Sequence, residues 1–299
     1  MLETSVGTLR FKNPLILASG ILDESGDTML RIAKIGAGGI VTKSVGMEPR
    51  KGYENPVVYE LPYGLLNAIG LPNPGIENFR DEIAKAKNGG VPIIGSVFGA
   101  TVEDFVYLGK KMQEYGADAL ELNLSCPHAK GYGMEVGTDS ELVSEIVEEL
   151  KKNLKIPVWA KLTPNTESIV KIAKAAENAD ALVLINTVKA MAIDVDAKMP
   201  VLKNIFGGLS GPAIKPIGVR AVYEVATEIE KPIVGVGGIT NGRDALEYIM
   251  AGASAVEIGT AIYLRGIEVF KSVAREIEDW MRKNGYERIE ELVGLAQVR

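Results

Sequence analysis

The sequence predicts a (β/α)8 barrel, the TIM-barrel class, from three observations. Short apolar, β-branched runs recur eight times along the chain, with amphipathic segments between them. Runs such as ALVLIN and PIVGV are typical of strands buried on both faces of a parallel sheet. The 299 residues suit one domain, because such barrels run to roughly 250 residues or more. A doubly wound sheet is the alternative, and the count of eight favours the barrel.

The predicted elements follow from composition and capping signals. The eight predicted strands are Leu15–Ser19, Gly39–Lys43, Pro92–Phe98, Ala119–Leu124, Pro157–Leu162, Ala181–Asn186, Pro232–Val236 and Ala255–Gly259. Val102–Tyr115 and Glu141–Asn153 are predicted helices between strands. Asp139 and Ser140 are candidate N-caps for the second of these helices, and its last turn carries lysines that suit the helix dipole.

Two connections, residues 45–75 and 188–214, are too long for simple strand-to-helix loops. Both are rich in Gly, Pro and Asn and show no clear internal structure. Long connections of this kind usually serve as lids or binding loops. Both follow predicted strand ends, the side of a barrel that carries active sites. We therefore expect inserted loops over a site at the C-terminal face of one domain, residues 1–299.

Composition and charge exclude several classes of function. A net charge of -6 and a pI near 5.2 argue against a sequence-independent nucleic-acid binder, which needs a basic face. The N-terminus has no signal-peptide pattern, and no run approaches the ~18 apolar residues of a bilayer span. We expect a cytoplasmic protein without a nucleic-acid or membrane partner. One cysteine and one histidine leave too few ligands for an iron–sulfur cluster or a zinc site, so no metal site is predicted.

Polar residues and glycines stand where the predicted strands end. They are Ser19-Gly20, Thr42-Lys43-Ser44, Ser96, residues 123–127, Lys161, Asn186-Thr187, Gly237-Gly238 and Gly259-Thr260. Each has an ordinary explanation on its own, because a lone lysine is usually solvated and a Gly-Gly pair usually marks a turn. In a barrel these ends converge on one cavity. The joint pattern therefore favours an active site.

Glycines after the seventh and eighth strands give the most specific structural signal, in VGVGGITNGRDA and VEIGTAIY. They let backbone N–H groups approach a phosphate beside a helix N-terminus. This pattern predicts a phosphorylated cofactor or substrate without saying which. The sequence has no GxGxxG fingerprint, so we expect no Rossmann-type dinucleotide site in this chain.

The sequence resembles the dihydroorotate dehydrogenases of pyrimidine biosynthesis over nearly its whole length. The matching stretches are NPLILASG (13–20), VTKSV (41–45), NAIGLPNPG (67–75), GSVFG (95–99), ELNLSCP (121–127), AKLTPN (160–165), INT (185–187), GGLSGPAIKP (207–216), VGVGGI (234–239) and IGTAIY (258–263). NLSCP and NAIGLPNPG are the most specific of them. The resemblance implies flavin-dependent oxidation of (S)-dihydroorotate to orotate on the route to UMP.

The resemblance implies one FMN per chain at the C-terminal end of the barrel. By similarity, its contacts come from Ala18, Ser19, Gly20, Lys43, Ser44, Asn123, Lys161, Ile185, Gly211, Gly237, Gly238, Gly259 and Thr260. The last four of these and Gly211 match the residues that hold the FMN phosphate. Lys43 and Lys161 would lie near the flavin ring, where a cation stabilises the anionic reduced form.

The resemblance also implies an orotate site, formed by Lys43, Asn67, Ile69, Gly70, Leu71, Asn123, Asn186 and Thr187. Asparagine amides suit a pyrimidinedione, because an amide both donates to a carbonyl and accepts from a ring N–H. Lys43 and the backbone N–H groups of residues 69–71 would meet the carboxylate. We expect residues 67–71 to close over the bound substrate as a lid.

Cys126 is the catalytic base that the resemblance implies. The reaction moves a proton from C5 and a hydride from C6 to flavin N5, so the protein must supply the base. A thiol of pKa ~8.5 can act as a base near neutral pH if a nearby positive charge lowers its pKa or if substrate binding excludes water. The plain alternative is a buried structural cysteine. His128 replaces the asparagine of the family pattern. A Cys126–His128 base pair is the alternative, but residues two apart on a loop need not face each other, so we interpret His128 as a structural hydrogen-bonding residue.

The segment NAIGLPNPG is more similar to the B type of the cytosolic class, which pairs with a second flavoprotein, than to the fumarate-using A type. One cysteine cannot ligate a cluster, so the electrons must leave this chain. The resemblance to the B type implies a homodimer that forms a heterotetramer with a subunit carrying FAD and a [2Fe–2S] cluster. NAD is the expected final acceptor.

Three other interpretations stay open at this point. The first is an FMN barrel reductase for another pyrimidine, such as a dihydropyrimidine dehydrogenase module, which tight orotate binding would exclude. The second is a Schiff-base aldolase using Lys161, which flavin colour or borohydride trapping would decide. The third is a phosphate-binding barrel without activity, which leaves Cys126 and the asparagines unexplained.

Overall fold

The computed structural model describes residues 1–124 and 137–298. In chain order, the described strands are β1 (Thr4–Val6), β2 (Leu9–Phe11), β3 (Leu15–Leu17), β4 (Gly39–Val41), β5 (Val58–Leu61), β6 (Gly64–Asn67), β7 (Ile93–Val97), β8 (Ala119–Asn123), β9 (Val158–Leu162), β10 (Ala181–Leu184), β11 (Val188–Ala190), β12 (Ile193–Asp194), β13 (Met199–Pro200), β14 (Gly207–Ser210), β15 (Ile233–Val236) and β16 (Ala255–Ile258).

The described α-helices are α1 (Gly26–Ile35), α2 (Arg80–Lys87), α3 (Val102–Tyr115), α4 (Ser140–Asn153), α5 (Ile169–Ala175), α6 (Lys215–Glu228), α7 (Gly242–Ala251), α8 (Ala261–Arg265) and α9 (Val269–Asn284). Short 3-10 turns cover Ile76–Asn78, Pro212–Ile214 and Ile289–Leu292. Asp139 caps α4 by accepting hydrogen bonds from the N–H groups of Glu141 and Leu142, which decides between the two candidate caps. Within the described ranges, no helix has both the length and the apolar character that a membrane crossing requires.

The eight parallel strands β3, β4, β7, β8, β9, β10, β15 and β16 close into a barrel. Neighbours in the barrel are neighbours in the order of these strands along the chain, which confirms the predicted fold. Several strands end one or two residues before the predicted boundary; β3, for example, ends at Leu17 and not at Ser19. The backbone leaves the ladder there, and the polar residues that follow lie above the strands.

An antiparallel hairpin, β1–β2, closes the other end of the barrel. Its Val6 and Phe11 pack with inward-facing barrel residues in one apolar cluster. The ring of Phe11 lies 6.3 Å from that of Trp159, centroid to centroid. Because this end is filled with apolar side chains, the interior of the barrel, as far as residues 1–124 and 137–298 describe it, opens at the C-terminal ends of its strands.

The interpretation of residues 45–75 and 188–214 as connections without internal structure is wrong. β5 and β6 from the first, and β11 and β14 from the second, form a four-stranded antiparallel sheet in the order β11-β14-β6-β5. β6 and β14 pair through Leu66 and Leu209. Strands this short have no readable periodicity, and their partners lie in a distant part of the sequence. Both insertions nevertheless follow barrel strands on the predicted face.

Candidate active site

Two adjoining cavities lie at the C-terminal ends of the barrel strands. The wide cavity has a volume of about 420 Å³, and the glycine cavity, beside β15 and β16, has about 100 Å³. Ser19, Lys161, Asn186, Thr187 and Thr260 line both cavities, so the two form one continuous site.

The predicted site residues that the structure describes all line one of these cavities. In the wide cavity are Ser19, Gly20, Lys43, Ser44, Asn67, Ile69, Gly70, Leu71, Asn123, Lys161, Asn186, Thr187, Gly259 and Thr260. The glycine cavity adds Ala18, Ile185, Gly211, Gly237 and Gly238. Cys126 and His128 lie outside the described residues. Residues scattered over most of the chain therefore meet in one place.

The glycine cavity has a backbone wall that side chains would fill. Gly211, Gly237 and Gly238 have φ angles of +94°, +123° and +70°, a region that L side chains rarely adopt. A Cβ on Gly238 would lie 2.7 Å from the carbonyl oxygen of Gly211, so the two backbones approach too closely for a larger residue. At the rim, the Thr260 hydroxyl donates to Ser210 Oγ at 2.8 Å. This wall suits a group that is bound by backbone N–H donors, such as a phosphate.

Asp244 in α7 holds the loop that follows Gly238. Its Oδ2 accepts from the backbone N–H and the hydroxyl of Thr240, at 2.9 and 2.7 Å, and its Oδ1 accepts from Lys215 Nζ at 2.9 Å. Burial pushes the pKa of Asp244 upward, but the hydrogen bonds from Thr240 and Lys215 outweigh it and leave the pKa lower than usual. The ionised carboxylate therefore stabilises the folded loop.

We expect Asp244→Asn to lower the free energy of unfolding by about 1–2 kcal/mol at neutral pH, since charge-assisted hydrogen bonds are lost. A depressed folded pKa contributes stability above the ordinary carboxyl pKa, and that stability is lost as pH falls through the folded pKa. The difference from the parent should therefore shrink in acid. Thermal melts across pH measure it, with the exposed Asp279→Asn as control. Equal melting of all three proteins at neutral pH would contradict the assignment.

Three charged side chains form the floor of the site. Lys161 Nζ lies 2.7 Å from Glu257 Oε2 and 3.5 Å from Glu121 Oε1. The side chain of Lys161 is 6% exposed and both carboxylates are 0% exposed. Glu121 Oε2 and Glu257 Oε1 have no hydrogen-bond partner among the described residues. Lys161 is therefore a paired cation, and the sequence analysis did not predict its two acidic partners.

The charge balance of this floor sets its protonation. Two carboxylates and one ammonium, all ionised, would leave one net negative charge out of water, which is unfavourable. Burial, and then the nearby Glu257 carboxylate, raise the pKa of Glu121 well above its usual value, although Lys161 opposes this. Burial lowers the pKa of Lys161, but Glu121 and Glu257 outweigh it and raise that pKa above its ordinary value. The arrangement favours a proton on Glu121 and a charged Lys161.

The sequence analysis missed Glu121 and Glu257 as site residues. Each stands within an otherwise apolar strand, in ALELN and AVEI. A charged residue is almost never fully buried unless it is paired. Two acidic residues at inward-facing positions of predicted strands were therefore a signal for a buried cation, and Lys161 is that cation.

Residues 67–71 form one wall of the wide cavity and are hydrogen-bonded along their length. Asn67 pairs with Val58 and Gly208 in the four-stranded sheet. The Tyr53 N–H donates to the Ile69 carbonyl at 3.0 Å, and Arg50 Nε donates to the Gly70 carbonyl at 2.7 Å. These contacts support a fixed wall and give no support to the expected closing lid.

We therefore expect limited proteolysis between residues 67 and 71 to be equally slow with and without orotate, because the backbone is already bonded. The measurement follows the cleavage products by mass spectrometry, with cleavage at the exposed Asp194 to Lys198 turn as a reference in the same digest. Selective protection of residues 67–71 by orotate would restore the lid interpretation.

Comparisons with known proteins match nearly the whole chain. A family model described as dihydroorotate dehydrogenase matches residues 1–281. A Thermoplasma acidophilum protein is 60% identical over 295 residues, covering 99% of this chain and 98% of the relative. A Pyrococcus abyssi relative is 54% identical over 298 residues, with 99% of each chain covered. A Methanocaldococcus jannaschii relative is 49% identical over 302 residues, covering 99% of this chain and 98% of its own. All three are named dihydroorotate dehydrogenase B (NAD(+)), catalytic subunit.

Proposed function

Since this chain belongs to the dihydroorotate dehydrogenase family, we propose that it oxidises (S)-dihydroorotate to orotate with FMN as its cofactor. The observation that carries this proposal is the convergence of the predicted, described site residues on two joined cavities. The activity places the chain in pyrimidine biosynthesis.

The residues present fit FMN. The glycine cavity offers a wall into which a Cβ would not fit at Gly238, as close backbone approach to a phosphate requires. Gly20 leaves open space, since a Cβ there would meet nothing within 4 Å, whereas a Cβ on Gly259 would make an ordinary contact with the Ala18 side chain at 3.5 Å. Lys161 reaches both cavities, so its ammonium would stand beside the flavin. FMN, when bound, supplies hydride acceptance.

The wide cavity suits a small planar anion with amide character. Lys43 is 8% exposed at its wall and supplies a cation for a carboxylate. Asn67, Asn123 and Asn186 line the same cavity, and their amides match ring carbonyl and N–H groups. In this proposal these side chains orient the substrate, and Cys126 removes the C5 proton. The assignment of Cys126 stays a prediction from the sequence.

An absorbance spectrum before and after anaerobic addition of dihydroorotate tests the proposal. We expect the purified protein to show flavin bands that bleach on addition of the substrate. A colourless protein that cannot be loaded with FMN, or flavin bands unchanged by dihydroorotate, would exclude this function. A matched addition of dihydrouracil, which lacks the carboxylate, should leave the bands unchanged if Lys43 selects the anion.

We also propose that electrons leave this chain through a partner subunit and reach NAD. The relatives' name, catalytic subunit of an NAD(+) enzyme, supports this step. The partner would carry FAD and a [2Fe–2S] cluster and bind a homodimer of this chain. The same proposal holds that residues 1–299 form one domain and that the protein is cytosolic.

The isolated chain is expected to reduce artificial dyes with dihydroorotate, to reduce NAD poorly, and to use fumarate weakly. The reason is that the chain has one cysteine and no dinucleotide fingerprint, so neither a cluster nor an NAD site is expected on it. Steady-state rates with each acceptor measure this. Rapid fumarate turnover would indicate the A type, and efficient NAD reduction without a partner would contradict the proposal.

A further inference from the structure

A chain of serine hydroxyls leads away from the charged floor. Ser96 Oγ lies 3.5 Å from Glu121 Oε1 and 2.8 Å from Ser44 Oγ. Ser44 Oγ in turn lies 3.2 Å from Ser19 Oγ. In both serine pairs either hydroxyl can be the donor. Three hydroxyls in succession therefore connect the buried Glu121 to Ser19.

The hydroxyl chain ends at a second buried carboxyl, Asp23. The Gly20 N–H donates to Asp23 Oδ2 at 2.5 Å. A hydrogen bond from the Ser19 side chain also lowers the pKa of the Asp23 carboxyl. Asp23 is 2% exposed, yet it lines an open outer cleft of about 680 Å³. Burial raises the pKa of Asp23 above its ordinary value, although Lys43 and the hydrogen bonds oppose the rise. Two carboxyls that hold protons more tightly than usual thus stand at the two ends of the chain.

The middle of the chain is dry and fixed in place. Ser96 is 0% exposed and Ser44 is 3% exposed. The Asn123 amide donates to Ser44 Oγ at 3.0 Å, which occupies one lone pair of that oxygen. Ser44 keeps its own proton and its other lone pair for its two serine neighbours. This geometry is what a directional hydroxyl chain requires.

We propose that Ser96, Ser44 and Ser19 form a proton relay between Glu121 and Asp23. Glu121 gives its proton to the Ser96 oxygen while Ser96 passes its own to Ser44, Ser44 to Ser19, and Ser19 to the Asp23 carboxylate. One proton leaves Glu121, one arrives on Asp23, and each serine keeps one. The reverse transfer reloads Glu121 from the outer cleft.

The relay matters once the site is filled. A cofactor and a substrate in the two cavities would block the direct water route to Glu121 and Lys161, which both line the wide cavity. Glu121 could then gain or lose a proton only by transfer through protein side chains. The hydroxyl chain rests on the described side chains alone, whereas its use in turnover rests on the proposed function.

Hydrogen–deuterium exchange of the Glu121 carboxylic acid tests the relay. Its carbonyl stretch, followed by infrared spectroscopy after transfer to D2O, is read in protein loaded with FMN and saturated with orotate. Glu121→Gln identifies the band, and Asp23→Asn separates it from any band of Asp23. Ser96→Ala removes the hydroxyl that lies next to Glu121. Thr42→Val is the matched control, because Thr42 is fully buried and bonds the Ser96 N–H but stands outside the hydroxyl chain.

We expect Ser96→Ala to slow the exchange at least ~10-fold, equivalent to about 1.4 kcal/mol on the barrier, and Thr42→Val not to slow it. Slower exchange distinguishes a relay from a purely structural role of Ser96. Loss of a buried hydrogen bond alone would loosen the structure and accelerate exchange by local opening. If Ser96→Ala fails to fold, Ser44→Ala interrupts the same chain. Exchange at the parent rate in the serine variants, or a Glu121 band that Glu121→Gln does not remove, would overturn the relay.

The same samples keep the two proposals apart. Flavin content and the spectral change on adding orotate report on the proposed function, while the exchange rate reports on the relay. Normal flavin and orotate binding with unaltered exchange in Ser96→Ala would refute the relay alone. Failure of the parent protein to bind FMN or orotate would refute the proposed function, and with it the use of the relay in turnover.

Discussion

Replacing Cys126 with alanine is expected to slow the reduction of the flavin by dihydroorotate at least ~10²-fold, the usual scale for losing a general base. FMN retention and orotate affinity should stay near the parent values, because the residues predicted to bind FMN and orotate, which line the two cavities, do not include Cys126. Anaerobic stopped-flow absorbance measures the reduction, and titration with orotate measures binding. Reduction at the parent rate would remove Cys126 from the mechanism.

Cys126→Ser is the companion variant for this prediction. An alcohol holds its proton far more tightly than a thiol does, so the serine variant should also be slow near neutral pH. A structural cysteine would behave differently, since serine and alanine would then alter stability and leave the reduction step unchanged. The two variants together separate a base from a packing residue.

The barrel and most of the site could be predicted because their signals are local. Each buried strand is an apolar run, and each strand end carries its own polar residue or glycine, as at Lys161 and Gly237. A closed parallel barrel brings these ends together whatever lies between them. Side chains such as Asn123 and Thr187 could therefore be assigned to one cavity before any distance was known.

The remaining features depend on contacts between distant segments. The sheet that joins β6 to β14 relies on pairing between residues 65–67 and 208–210, and strands of four residues are too short to show a periodic pattern. The pairing of Lys161 with Glu257 spans 96 residues. The serine chain likewise combines β7 with the ends of two other strands. Such interactions depend on how the barrel closes. The periodicity of a single segment carries no information about that closure.

The pairing of Lys161 leads to the second large effect. Lys161→Met would leave two buried carboxyls without their cation, and breaking a buried pair by removing one partner costs about 3–5 kcal/mol. The exposed pair of Lys174 with Glu228, at 2.9 Å and roughly half exposed on both sides, offers a matched control. Lys174→Met should change the free energy of unfolding by no more than ~1 kcal/mol.

Denaturant unfolding of the flavin-free proteins measures this loss apart from cofactor binding. Without Lys161, which opposes the rise, the pKa of Glu121 should rise further, and a raised carboxyl pKa destabilises the fold above the unfolded value of ~4.3. The deficit of Lys161→Met should therefore be large at neutral pH and shrink as pH is lowered toward that value. Adding Glu257→Gln should recover part of the loss, because one uncompensated carboxylate is removed.

Flavin content should fall in Lys161→Met and stay normal in Lys174→Met. A stable Lys161→Met protein with full flavin content would show that the ion pair at the floor contributes neither to folding nor to the cofactor site.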